Sequence, residues 1–291
     1  MNAKIHFNVD PVVRSNLDFH LENMKKDWFD NDPFKSRFFD AVSILFPDGE
    51  RYFIESVRQY RDQIQDEKLK LHVADFIRQE AQHGIAHTKM NQVLEAKGLP
   101  AHQIAKEGKL IFDWMSNNLS SRLNVTFTAA FEHLTALMAE SFFGEKRTFA
   151  HADPYVRALL AWHSIEEMEH RDVVYDVMMQ VGDVPEWMRK MVFPFAIMHM
   201  MGFSLVRTEA LLRHEGYSIS ARIKMFAQGV PWLLSKQGLG KNKKQLFAWL
   251  KKDFHPSQHP IIAQYDVWVN VLAETHDPIQ AGQAFWEAGR E

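Results

Sequence analysis

No cysteine occurs among the 291 residues of the chain. That excludes a disulfide framework, a thiol nucleophile, cysteine-ligated zinc and cysteine-held iron–sulfur clusters. Neither sign of charge is in excess. Lys and Arg number 34 against 37 Asp and Glu, a formal net of −3, so no basic field invites nucleic acid. Glycine (13) and proline (11) are sparse and fall mostly at the edges of long periodic runs. The two-residue alternation of a strand is absent. The first ten residues lack the apolar stretch of a secretory signal, and a cytoplasmic location is expected. What the chain does have is 46% hydrophobic residues, 15 His and 14 Met. Any metal chemistry is therefore forced onto nitrogen and oxygen ligands.

Helical periodicity dominates. Residues 1–40 read as irregular with short helices. Pro47 and Asp48 then open a first long helix, about 47–65. A second covers about 67–97 and stops at Gly98 and Pro100; a shorter connecting helix spans 101–118. A third covers about 120–150. Asp153-Pro154 supplies an N-cap and first-turn pair for a fourth, about 154–182. An apolar helix (about 186–214), a basic linker around 241–244 and further helices follow. The expected architecture is one all-α domain over 1–291, a four-helix bundle with a helical C-terminal extension, 186–291. Segment 191–206 is almost wholly apolar but shorter than the ~20 residues of a spanning helix. A buried core helix is the favoured reading and peripheral membrane contact the alternative.

The chemistry lies in a repeated motif. Glu80-Ala81-Gln82-His83 stands on the second helix and Glu167-Met168-Glu169-His170 on the fourth. Residues three apart share a helix face, so each Glu-x-x-His can offer oxygen and nitrogen to one metal. The other two helices carry glutamates: Glu50 or Glu55 on the first, Glu132 or Glu140 on the third. A Glu from each of two helices plus Glu-x-x-His from each of the others is the ligand recipe of ferritin-like di-metal bundles. Glu50, Glu80, Glu132 and Glu167 each interrupt an otherwise apolar stripe, whereas Glu55 lies off it. Unpaired carboxylates in a core are very costly, and a metal pair satisfies all four. Four carboxylates balance two divalent cations, with neutral histidines adding donors without charge. His163 lies on the same line, four residues before Glu167, and is read as a seventh ligand. His87, His133 and Glu166 are read as neighbours supporting the ligands. Such a set suits iron or manganese better than zinc.

The stretches Phe46-Pro47-Asp48-Gly49-Glu50, Phe76-Ile77-Arg78-Gln79-Glu80-Ala81-Gln82-His83 and Trp162-His163-Ser164-Ile165-Glu166-Glu167-Met168-Glu169-His170 resemble a mostly bacterial family of predicted metal-dependent hydrolases. Phe254-His255-Pro256, Asp32-Pro33 and Phe38-Phe39 extend the resemblance over nearly the whole chain. It implies a ferritin-like fold. The spacing of His163, Glu167 and His170 is also similar to that of di-iron arylamine N-oxygenases. This second resemblance implies a seven-ligand site of Glu50, Glu80, His83, Glu132, His163, Glu167 and His170, and raises oxygen chemistry above hydrolysis.

The expected function is a di-iron oxygenase or oxidase using dioxygen on a small apolar or aromatic substrate. Glu80 and Glu132 are expected to bridge two iron ions, with manganese/iron or zinc as lesser choices. No nucleotide-binding glycine motif is present, so an external electron donor is implied. The alternatives are a hydrolase with metal-activated water and a non-enzymatic iron-binding protein. A homodimer is left open, and no nucleic-acid partner is expected.

Overall fold

The computed structural model describes residues 8–144 and 148–289. Among the described residues every regular element is a helix. The elements are α1 (Pro33–Arg58), α2 (Glu67–Ala96), α3 (Ala101–Asn118), α4 (Ser121–Phe143), α5 (Pro154–His170), α6 (Val173–Asp176), α7 (Glu186–His214), α8 (Ile219–Leu233), α9 (Lys243–Ala248), α10 (Tyr265–Thr275) and α11 (Pro278–Glu287). Short 3-10 turns and a π-helical stretch, Val177–Val181, complete the set.

Caps explain most of the starts. Asp32 accepts a hydrogen bond from Lys35 N–H, Asp66 from Lys68 and Leu69, Ser120 from Leu123, and Asp153 from Tyr155. Each satisfies backbone donors that the helix itself leaves open. The expected bounds of α2 and α3 are met to within a residue. The first long helix, however, begins at Pro33 rather than near Pro47. Asp32-Pro33 carries the same cap-and-proline signature as Asp153-Pro154. The turn before Pro47 is held by burial of Phe34, Phe38, Phe39 and Ile44, which outweighs the hydrogen bond Pro47 removes. The helix ends at Arg58, short of 65.

Two further departures concern the third and fourth helices. α4 ends at Phe143, with Gly144 as its cap, rather than at 150; residues 145–147 lie outside the described residues. The fourth run divides directly after His170. There the Arg171 guanidinium turns away to the carbonyls of His259 and Pro260, and the chain resumes as α6 and the π-helical stretch.

α1 packs along α2, α4 along α5, and the two pairs meet around a buried centre. α7 closes the side formed by α1 and α4, and α11 lies against α5. An aromatic cluster locks the end of the bundle: Phe29 stacks on Phe149 at 4.7 Å and Phe39 meets Phe142 edge-on at 4.9 Å. α8 reaches α1 through Gly229, where a Cβ would fall 2.0–2.5 Å from ring carbons of Phe34. Gly229→Ala is therefore expected to lower stability by about 1–3 kcal/mol through overpacking. Chemical denaturation measures it; an unchanged midpoint would mean that α8 is not seated on Phe34.

Candidate metal centre

Glu50 comes from α1, Glu80 and His83 from α2, Glu132 from α4, and His163, Glu167 and His170 from α5. All seven are buried. Ligand-capable atoms gather within 4.8 Å of one another in three groups: Glu50, His83 and His163; Glu80, Glu132 and His170; Glu80, His83 and Glu167. Glu80 belongs to both the His83 and the His170 groups. Glu132 belongs to the His170 side alone, at 3.3 Å from its Nε2, because α4 approaches from that flank. Glu167 Oε1 lies in the His83 group and 3.7 Å from His170 Nε2, so it faces both sides. Gly84 lets α1 come close, since a Cβ there would lie 3.4 Å from Glu50 Oε2.

The fit to metal rests on atoms without partners. Both carboxylate oxygens of Glu50, Glu80 and Glu132, with His83 Nδ1 and His170 Nε2, are buried and make no hydrogen bond. His170 Nε2 is 3.1 Å from Glu80 Oε1 yet not aligned to donate to it. Buried polar groups are normally satisfied. Orphans from three carboxylates and two imidazoles converging on one place are what ions held between them would leave. Oxygen and nitrogen donors without thiolate suit iron, manganese or zinc.

The outward nitrogens of the histidines are all engaged. His83 Nε2 meets Glu166 Oε2 at 3.1 Å, and Trp162 Nε1–H donates to Glu166 Oε1 at 2.9 Å. His170 Nδ1–H donates to Gln79 Oε1 at 3.0 Å, and Gln79 donates onward to Glu169 at 2.8 Å. Arg14 binds Glu169 at 2.7 Å and Glu166 at 3.2 Å, while the Tyr265 hydroxyl also donates to Glu169. A partner on the far ring nitrogen fixes tautomer and ring orientation at a metal. Glu166 thus touches His83 as expected, whereas Arg14, Gln79, Glu169 and Tyr265 had not been singled out. Gln79 lies off the apolar stripe of α2 but is buried, because the segment through Val12 and Arg14 covers that face.

His163 differs from the other two histidines. Its Nε2 donates to Glu167 Oε1 at 2.9 Å and its Nδ1 accepts from His87 Nε2 at 2.7 Å. Ser43 Oγ is 2.8 Å from His87 Nδ1. One tautomer assignment satisfies the chain from Ser43 through His87 and His163 to Glu167. His133, next in sequence to Glu132, is not near the ligands. One residue turns a helix by about 100°, and His133 stacks on Trp249 at 5.1 Å. Burial pushes it down to about 3. Glu55 pairs with Arg51 at the surface, and Glu140 faces Gln245.

Electrostatics records the strain of gathering the ligands. Burial, then the neighbouring Glu80, holds Glu50 well above the usual carboxylate range. Burial with Glu167 and Glu80 raises Glu132 to about 8. Burial alone would lower His83 and His170, but their carboxylate neighbours keep both well above the ordinary imidazole range. Glu167, despite burial, is held well below by His163 and His170. Burial lowers His87 and His163, each further depressed by a neighbouring imidazole.

Two openings adjoin the centre. A cavity of about 50 Å³ lies against His163 and Glu167, walled by Phe39, Phe46, Phe142 and Phe149. An open groove between α1 and α2 reaches Glu80 past Pro47 and Gly84, with Arg51, Arg58 and Lys89 at its rim.

The sequence pattern of a family described as "predicted metal-dependent hydrolase" matches residues 13–260. The chain belongs to that family. The match spans the N-terminal segment with Arg14 and all the helices that bring ligands to the centre. No curated protein and no solved structure matches the chain. As a predicted metal-dependent hydrolase it has, in these buried His and Glu groups, a place for the metal its description requires.

Two tests follow. Glu50, Glu132, His83 and His170 are raised, so at neutral pH the metal-free centre holds protons there that a metal must displace. Affinity then rises with pH, and binding releases roughly two or more protons per chain. Calorimetric titration with Mn2+ in buffers of differing ionisation enthalpy measures this; heats independent of buffer would contradict it. In the second test, Glu80→Ala is expected to lose both ions. Glu166→Gln should weaken binding about 10–100-fold, and His163→Ala should weaken it least. Equal metal loss in all three would refute the ordering.

Proposed function

We propose that the chain is a dinuclear metal-dependent hydrolase acting on a small apolar substrate held beside Glu167 and His163. The observation that carries this is the convergence of partnerless carboxylate and imidazole atoms from α1, α2 and α4–α5 next to an aromatic cavity. Membership of the family supports hydrolysis as the class. Two ions held by Glu50, Glu80, His83, Glu132, Glu167 and His170 would activate water and polarise the bond to be cleaved.

The chain's own residues do the rest. Phe39, Phe46, Phe142 and Phe149 exclude bulk water and bind the apolar body of the substrate. Hydroxyls of Ser43, Thr135 and Ser164 are the polar points on that wall. Thr135 Oγ1 donates to Glu167 Oε2 and so orients that carboxylate. His163, kept neutral by burial, stands at the wall with Nε2 against Glu167. It can give its Nε2 proton to Glu167 and be reprotonated at Nδ1 from His87, which Ser43 backs in turn, so that no charge need rest on the aromatic wall. Glu166 and Gln79 hold His83 and His170 in one tautomer throughout.

A second reading is oxidation by dioxygen at a di-iron centre. The almost wholly apolar wall favours it, because it presents few donors to a developing oxyanion. The His163, Glu167, His170 spacing favours it too. This reading requires an external electron donor.

Metal analysis and two assays separate them. For the hydrolase, the protein binds two ions per chain and cleaves short-chain aryl or alkyl esters or amides. Glu80→Ala abolishes this, and loading with Mn2+ or Zn2+ supports it without oxygen. Two tightly held irons, oxygen consumption by the reduced protein and no cleavage under any metal would overturn hydrolysis in favour of oxidation.

A further inference from the structure

α7 is amphipathic in an unusual sense, because both of its long faces are apolar. One face packs inward through Val192, Phe193, Ala196, Met200 and Leu211. The opposite face carries Trp187, Met191, Phe195 and Met198, exposed by 58%, 58%, 53% and 64%, with Val206 following. Four bulky apolar side chains on consecutive turns, all more than half exposed, make a continuous stripe rather than scattered surface residues.

Against α7 runs a segment of unusual charge, its Leu234 and Lys243 lining one cavity with Ile197 and Met201 of that helix. Between 216 and 252 there is no Asp or Glu, while Arg222, Lys224, Lys236, Lys241, Lys243, Lys244, Lys251 and Lys252 are all cationic. The whole chain is formally −3, so this basic segment is set against an acidic remainder. Its last part lies alongside α7. The buried Arg189 guanidinium donates to the carbonyls of Trp249 and Lys251, and Trp249 stacks on Phe193 at 5.3 Å. Leu234, Phe247 and Leu250 on the same segment are themselves exposed. Exposed aromatic and aliphatic side chains are thus bordered by lysines.

We propose that this face, the outer stripe of α7 with the lysine-rich segment, binds the surface of an anionic lipid bilayer. Apolar side chains inserted at the headgroup boundary together with lysines over anionic lipid are the two forces that hold an interfacial helix. Charge decides against a second copy of the chain. In a two-fold pair the same patch meets itself, and lysines would oppose lysines. α7 is long and apolar enough to cross a membrane. With its other face in the core and Arg189 bonded there, it lies on the surface instead.

A cavity gives the face a purpose. About 150 Å³ of almost wholly apolar space lies between α4, α7 and residues 239–246, with Leu234 and Lys243 at its edge and Met138 in its wall. Met138 also walls the aromatic cavity beside Glu167 and His163. The two cavities therefore share Met138 as a common wall residue. Resting on the proposed hydrolase reading, the substrate class is a lipid-derived molecule with an acyl chain, drawn from the membrane past Met138.

The full-length, metal-loaded protein is mixed with vesicles of phosphatidylcholine alone or with about one-third phosphatidylglycerol and floated on a density gradient. Binding is expected to the anionic vesicles only, and to weaken with salt. Lys243→Gln and Lys244→Gln should each weaken it about fivefold. Phe195→Ser with Met198→Ser should abolish it, while metal content and far-ultraviolet circular dichroism stay unchanged. No flotation with anionic vesicles, or equal flotation with neutral ones, overturns the proposal. So does a concentration-dependent dimer abolished by the same serine variant, or tighter binding to duplex DNA than to vesicles. For the cavity, cis-parinaric acid should brighten on binding, and Met201→Trp at the cavity wall should reduce that response at least about tenfold; an undiminished response overturns the acyl route. None of these readouts needs turnover, so failure of ester cleavage would sink the hydrolase reading without touching the membrane face.

Discussion

Carboxylates withdrawn from water must be neutralised, and most of this structure can be understood as the answer to that demand. Glu50, Glu80, Glu132 and Glu167 enter the core from four sides of a helical bundle. Among the described residues no lysine or arginine pairs with them; the imidazoles of His83, His163 and His170 do. Without metal, protons must be retained on the raised groups, Glu50, Glu132, His83 and His170. Two divalent ions would bring the same set close to neutral and offer partners to its orphaned carboxylate and imidazole atoms. The stability of the bundle and the loading of its centre are therefore one equilibrium.

Two more glutamates crowd the same stretch of α5, and they follow a different rule. Glu166 and Glu169 are as buried as the ligands, but Arg14 lies between them. That arginine arrives from the N-terminal segment, 152 residues away in sequence from Glu166. It is what allows α5 to carry three glutamates in the four positions 166–169 without mutual repulsion. Tyr265 on α10 adds a further donor to Glu169. The segments flanking the bundle are thus tied to the centre through the partners of His83 and His170 rather than through the ligands themselves.

The legible part of this arrangement was local. Glu-x-x-His on two helices needs only three-residue spacing, and Glu50 could be separated from Glu55 by asking which continues an apolar stripe. The same periodicity set both ends of α2. Position along a helix says nothing about what covers it from outside, so the roles of Gln79 and Glu169 appear only with Val12, Arg14 and Tyr265 lying over them. Adjacency misled at His133, which turns with the helix toward Trp249. The start of α1 was misplaced because Pro47 imitates a first-turn proline. Only the burial of the preceding turns shows that the helix passes through it.

The centre sits on a boundary, and the boundary constrains what can reach it. On the α2 and α5 flank a lattice of charged hydrogen bonds through Arg14, Glu166, Glu169 and Gln79 is closed and rigid. Between α1 and α2 an open groove reaches Glu80 past Gly84, with Arg51, Arg58 and Lys89 at its rim. On the α4 flank the wall is phenylalanine and methionine. Moving a hydrated ion along that apolar wall would strip its water without replacing it, whereas an apolar molecule gains there and loses nothing in the groove. The groove ends at Glu80 and the apolar wall at Glu167 and His163, and Glu80 and Glu167 offer atoms within 4.8 Å of one another.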